Sequence, residues 1–166
     1  MKKKIIFIVS GCALVWVFVV LLLPLARNFR YEELRAACGT GQVATVRLLL
    51  ILGADPNGIK DYKPNWDVEF AYPIEGAAKH NYPEIIHLLA NAGANVNADV
   101  DGESYEESPL CIAARGGATE AAQALLTHGA WATTKHGTSA LAIARRSGHE
   151  EIARLIEASS RLQPNQ

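Results

Sequence analysis

Cysteine is scarce in this chain. Cys12, Cys38 and Cys111 are its three, scattered over 166 residues. That number and spread imply no disulfide framework and leave the redox compartment open. No two of them share the short spacing of a zinc site. An excess of either charge is missing too: 16 Lys and Arg face 17 Asp and Glu, for a net charge of −1. A strongly basic nucleic-acid surface is therefore not expected. There is no Gly-x-Ser-x-Gly elbow and no phosphate-cradling glycine loop. The five histidines, His80, His87, His128, His136 and His149, do not pair with a second ligand at metal-site spacing on one helix. Asn97-Ala98-Asp99-Val100-Asp101-Gly102 opens like a calcium loop. Ser108, however, stands where such a loop needs a bidentate Glu. The stretch runs on through Glu103, Glu106 and Glu107 and reads more simply as an acidic, solvated finger. No catalytic residue, metal or cofactor is expected.

What the chain has is a repeat. Tyr72 to Asn97, YPIEGAAKHNYPEIIHLLANAGANVN, reads as two short helices and the start of a turn. Ile74, Ala77 and Ala78 give the first helix a small apolar face, and Ile85, Ile86, Leu88 and Leu89 give the second a bulkier one. Asn81 lies between them, where tolerance of left-handed φ is useful. Gly93 follows the second, as Gly commonly does. Helices this short cannot bury their apolar faces alone, so copies are expected. The triplet Ile74, Asn81, Gly93 recurs as Leu34, Gly41, Gly53, as Leu110, Gly117, Gly129 and as Leu141, Gly148, Ser160. The first interval is 7 residues and the second 12 in all four. Ala37, Ala77, Ala113 and Ala144 recur in the first helices. The apolar pairs Leu49–Leu50, Leu88–Leu89, Leu125–Leu126 and Leu155–Ile156 recur in the second.

From Tyr31 to Ser160 the chain resembles an ankyrin-repeat protein. That family's Thr-Pro-Leu-His-x-Ala-Ala pattern is matched by Tyr72-Pro73-Ile74-Glu75-Gly76-Ala77-Ala78 and by Ser108-Pro109-Leu110-Cys111-Ile112-Ala113-Ala114. Its Gly-Ala-Asp-x-Asn pattern is matched by Gly53-Ala54-Asp55-Pro56-Asn57, by Gly93-Ala94-Asn95-Val96-Asn97 and loosely by Gly129-Ala130-Trp131. The resemblance implies an all-α solenoid of about four helix-turn-helix repeats, near 31–57, 72–97, 108–133 and 139–160. The first copy lacks Thr-Pro, so Tyr31 to Cys38 reads as a capping helix. The last has Ser139-Ala140 and loses its closing Gly, as terminal repeats do when one side faces water. Cys38 stands where other copies have Ala78 and Ala114, a small core residue. Cys111, two copies on, is too far away to pair with it in a regular stack. His149 follows Gly148, where the family often has His, and His80 reads as a helix-end residue. Arg146, Glu150, Arg154 and Glu157 give the last helix a polar outward face, and 161–166 reads as a frayed tail.

One region lacks charge altogether. After Lys2, Lys3 and Lys4, the run Ile5 to Leu23 carries no charged residue over 19 residues. As a helix it would be roughly 28 Å long, near a bilayer's hydrocarbon thickness. Pro24 is placed to end or kink it. An uncleaved membrane anchor over residues 1–26 is the expectation, ahead of a cleaved signal peptide, whose apolar region is normally shorter. Val9-Ser10-Gly11-Cys12 resembles a lipoprotein cleavage box, but Ala13 to Leu23 remains apolar where such proteins turn polar. Lys2 to Lys4 before the run, against Arg27, Arg30 and Arg35 with Glu32 and Glu33 after it, lean towards repeats outside the cytoplasm. In a bacterium this means a periplasmic domain on the inner membrane, held close to the lipid by the short gap from Pro24 to Tyr31.

The connectors vary where the repeats do not. From closing Gly to next marker they measure 21, 17 and 12 residues, against about 14 for the family's usual period. Insertions in solenoids fall on loops of one face, often the binding face. The first finger, Gly58 to Ala71, offers Tyr62, Trp66 and Phe70 among charges, the composition of interface anchors. The resemblance implies capture of a folded protein partner by the fingers and by the exposed face of the first helices. On this chain that surface would comprise Tyr62, Trp66, Phe70, Tyr105, Glu106 and Glu107 from fingers, Glu75, Lys79, Cys111 and Arg115 from first helices, and Trp131 from the short third finger. Small bacterial ankyrin proteins with an N-terminal span resemble immunity proteins against secreted toxins, or accessory proteins of a periplasmic enzyme such as catalase. A structural scaffold of an envelope complex is the alternative role, and an enzyme is the class least favoured.

Overall fold

The computed structural model describes residues 23–57, 72–98, 108–133, 137 and 139–162. Among them are eight helices and no strand: α1 Leu23–Gly39, α2 Val43–Ile51, α3 Pro73–Lys79, α4 Pro83–Asn91, α5 Pro109–Gly116, α6 Thr119–Thr127, α7 Ala140–Arg146 and α8 Glu150–Leu162. They form four hairpins, and each hairpin packs on the one before and the one after. The first helices stack as α1–α3–α5–α7 and the second as α2–α4–α6–α8. The architecture is the expected all-α solenoid, with one apolar core running its length rather than a closed centre.

The core follows from the repeat register. Leu34, Ile74 and Leu110 are fully buried, as are the alanines three residues on. One residue further, Cys38, Ala78 and Ala114 are buried, while Arg145 takes that place in the last repeat and is exposed. The small residue serves where another hairpin stacks on top, and nothing in the described chain stacks on α7. In three of the four apolar pairs of the second helices, the residue fifteen after the marker is the buried one. Leu89, Leu125 and Ile156 are fully buried there and Leu49 is half-buried. Leu88 and Leu155, expected as their equals, sit one position earlier and are only half-buried.

Helix ends obey local chemistry. Pro73 and Pro109 open α3 and α5, where a missing N–H costs nothing. The Glu75 carboxylate accepts from the Tyr72 N–H at 3.0 Å. Ser108 Oγ accepts from the Cys111 N–H at 3.4 Å, and Ser139 Oγ from the Ala142 N–H at 3.3 Å. The turns between helices use left-handed backbone, and Asn81 (φ 58°) is the one non-glycine there among the described residues. The last repeat has Ser160 in place of a closing glycine. Accordingly α8 runs straight on for 13 residues, against nine for α2, α4 and α6. Arg161 and Leu162 are thus helical, not frayed; 163–166 lie outside the described residues.

At the other end, α1 begins at Leu23, eight residues ahead of Tyr31. The expected gap from Pro24 to Tyr31 is helix, because no Gly or Pro follows Pro24 before Gly39. No helix among the described residues is long and apolar enough to cross a membrane. The expected anchor, with Cys12, lies outside the described residues except for 23–26, which open α1.

Candidate partner-binding surface

The loop bases are tied together by asparagine side chains. Asn57 donates from Nδ2 to the Gly93 carbonyl at 2.8 Å and accepts at Oδ1 from the Asn95 N–H at 2.6 Å. Asn97 repeats the pattern one hairpin on, donating to the Gly129 carbonyl at 3.3 Å and accepting from the Trp131 N–H at 2.7 Å. Each turn is also closed locally. Asp55 Oδ1 accepts from the Asn57 N–H at 2.9 Å, and Asn95 Oδ1 from the Asn97 N–H at 3.0 Å. A side-chain amide can donate and accept together, so one residue satisfies two backbone groups of the next turn. In the third turn Thr133 replaces this Asn and pairs in an isolated bridge with Ser139. Trp131 therefore has a fixed backbone and a ring that remains 48 % exposed. The sequence signal of the ladder is the final Asn of Gly-Ala-Asp-x-Asn, which does not itself say what the side chain bonds.

Lys79 and Arg115 occupy the same place, five residues after Ile74 and Leu110, at the C-terminal ends of α3 and α5. Both are exposed, and Arg146 holds the equivalent place on α7. Cations are favoured there by the carbonyl ends of the helices. α3 and α5 run close: a Cβ at Gly116 would stand 3.8 Å from the Lys79 carbonyl. Two expected surface residues are corrected. Glu75 and Cys111 are buried, because Glu75 turns back to cap α3 and Cys111 packs in the continuous core. Neither is presented to a partner in this conformation. Tyr62, Trp66, Phe70, Tyr105, Glu106 and Glu107 lie outside the described residues, as do His136 and the acidic stretch 99–107.

The far ends of the hairpins carry a second set of contacts between repeats. Asn81 Oδ1 accepts from the Ala121 N–H at 2.9 Å, and its Nδ2 donates to the Glu120 carboxylate. That hydrogen bond, with one from backbone, holds the Glu120 carboxyl below its ordinary range. The Tyr82 ring lies on Gly41 and the His149 ring on Gly117, where a Cβ would meet them at 2.7 and 2.6 Å. His149 Nε2 stands 3.2 Å from the Arg115 carbonyl. His87 Nδ1 and His128 Nε2 are 2.8 Å apart across α4 and α6. Burial first, then the His87 charge, pushes the His128 imidazole below its ordinary value. This pair was missed because spacing along one helix says nothing about histidines 41 residues apart on stacked ones. Among the described residues no three His, Cys, Asp or Glu converge as a metal site. Among the described residues neither Cys38 nor Cys111 forms a disulfide, and both are buried.

Stacked hairpins with tied loop bases define a rigid, open scaffold of the kind that recognises other proteins over its surface. The family model for ankyrin repeats in three copies matches residues 74–165, more than half of the chain, and the chain belongs to the ankyrin-repeat family. Its first hairpin, α1 with α2, precedes the matched residues and stacks in the same way. No curated protein matches the sequence. Ankyrin repeats make the chain a protein–protein interaction module, of a class generally without enzymatic activity.

Proposed function

We propose that this chain is a membrane-tethered module that captures one folded protein with its loop fingers and first-helix ends, and inhibits or protects it outside the cytoplasm. The observation that carries the reading is the Asn57 and Asn97 ladder. Turns at the loop bases that are fixed before contact lose less conformational entropy on binding, which converts a modest contact area into useful affinity. Trp131 is the aromatic anchor among the described residues. Lys79 and Arg115 add positive charge at the C-terminal ends of α3 and α5. The fingers' Tyr62, Trp66, Phe70, Tyr105, Glu106 and Glu107 complete the surface by composition. The tether rests on the uncharged run Ile5 to Leu23, and the orientation on Lys2 to Lys4 before it.

The test is affinity capture with the full-length chain from the membranes of its source cells. One dominant partner in stoichiometric yield is expected. Trp131→Ala and the pair Tyr62→Ala, Trp66→Ala should each weaken the isolated complex by about 2 kcal/mol. Several envelope proteins recovered together, none sensitive to these changes, would replace capture with the scaffold role.

A further inference from the structure

The first hairpin carries an apolar edge that its place in the stack does not explain. Leu48, Ile51 and Leu52 are 56 %, 76 % and 53 % exposed, and they lie three and four residues apart on one side of α2 and its cap. Ile51 stands where the next two repeats have Asn91 and Thr127, and Leu52 where they have Ala92 and His128. The outward side of a terminal repeat is expected to be polar. The opposite end of the stack complies, with Arg145, Glu150 and Arg154 exposed. The hydrophobic effect acts against leaving such an edge in water.

We infer that this edge rests in the interfacial layer of a lipid bilayer, beside the point where the chain enters it. The inference rests on the tether proposed above and adds a second, reversible contact to it. Placement selects the occupant. Arg30 of α1 donates to the Leu52 carbonyl, so the C-terminal end of α2 lies within side-chain reach of the middle of α1. Leu23, seven residues before Arg30, is both the first residue of α1 and the last of the uncharged run. Seven residues of helix rise about 10 Å. That height is of the order of the interfacial layer, about 5–8 Å on each side of the hydrocarbon core, in which interfacial apolar faces lie. A second copy of the chain fits less well. Three aliphatic side chains fall far short of the roughly 800 Å² per partner that a stable interface buries. The edge would fix the tilt of the first hairpin on the membrane and hold the rest of the ladder in one orientation for its partner.

The experiment uses the full-length chain with Cys12→Ala, reconstituted into phosphatidylcholine–phosphatidylglycerol liposomes. A bimane probe is attached at Ile51→Cys or, as control, at Ala158→Cys. Ala158 is exposed and holds the place of Ile51 in the last repeat. Brominated acyl chains should reduce emission on the order of twofold at position 51, given its place in that layer, and leave position 158 unchanged. Equal emission at both would overturn the inference. Protection of position 51 from aqueous iodide without bromolipid quenching would also overturn it, by assigning the edge to the chain itself or to a second copy. Flotation separates the two claims. A chain that floats with the liposomes but shows no quenching keeps the tether and loses the docked edge. A chain that does not float loses both.

Discussion

Asn81 supplies what the next repeat lacks. The residue preceding α6 is Ala118, which has no side-chain acceptor, and Asn81 accepts from the Ala121 N–H in its stead. It also holds left-handed backbone. Asn81→Gly keeps the backbone and loses the bond, a loss of about 1 kcal/mol by analogy with helix caps. Asn81→Ala loses both and should lose about 1 kcal/mol more. Urea midpoints should therefore rank native, Gly, Ala; equal midpoints for the two variants would show that the backbone carries no strain. The same logic explains the rings on glycine. Tyr82 and His149 cover Gly41 and Gly117, while small Ala118 stands at the equivalent place after Asn81. Gly117→Ala should destabilise by about 1–3 kcal/mol, and by less when His149→Ala removes the ring it would meet. A smooth loss in both backgrounds would put the whole cost on φ. Cys38 sets a pH limit. Burial pushes its thiol up to about 12, so the folded chain keeps a proton that the unfolded chain releases at lower pH. Its stabilising contribution is complete below the ordinary thiol value and drains away as pH rises towards 12, by at most about 1.4 kcal/mol per pH unit. Tyr31, also raised by burial, acts in the same direction. Cys38→Ala, the residue of the next two repeats, should flatten part of that alkaline decline in denaturation midpoints. Asn81 was legible as a turn residue from the interval of seven. Its hydrogen bonds were not, since they depend on which residue of the following repeat lies above it.

Helices and turns were the most readable part of the chain, because two invariant intervals fix where each helix must stop. Gly53, Gly93 and Gly129 close their second helices, and the absence of a fourth lets α8 run on. The register inside the second helices was less readable. Adjacent leucines look alike in sequence, and only the stack decides which one it buries. Leu89→Ala should cost about 2–5 kcal/mol as a core truncation, and Leu88→Ala distinctly less, since Leu88 is half-buried. Equal losses by chemical denaturation would mean that α4 is rotated from the position found. The turns give a separate prediction. Asn57→Ala and Asn97→Ala each leave a carbonyl and an N–H of the next turn unsatisfied by protein. These groups are exposed, the Gly129 carbonyl only partly, so stability should fall by only about 1 kcal/mol per substitution. Hydrogen exchange at Asn95 and Trp131, whose N–H groups lose their acceptors, should quicken selectively. Unchanged protection at those two amides would remove the ladder as the source of loop order and weaken the capture reading with it.

A ladder in which each hairpin touches only its neighbours has two ends, and here the ends differ in chemistry. The C-terminal side of the described stack is polar. Ile143, Ile152 and Ile156 face inwards and are buried, while Arg145 pairs with Glu157 on the outer side. Removing residues 137–166 would expose the apolar sides of α5 and α6 that these isoleucines cover, so the shortened chain should aggregate on expression. The N-terminal end is unfinished in water, since Leu48, Ile51 and Leu52 face outwards. Replacing Ile51 and Leu52 with Asn and His, residues found at those places in the next two repeats, removes apolar surface that supports nothing beneath it. Global stability should then change by no more than about 0.5 kcal/mol, and solubility away from lipid should rise. These two expectations exclude a single explanation by general core loss. If the Ile51→Asn, Leu52→His chain were as destabilised as the truncated one, the edge would be part of the fold, covered in solution by some other stretch of the chain. If it keeps its stability, the exposed leucines and isoleucine are surplus to folding. Their exposure must then be explained by what the first hairpin touches, and a bilayer is the occupant inferred above for that edge.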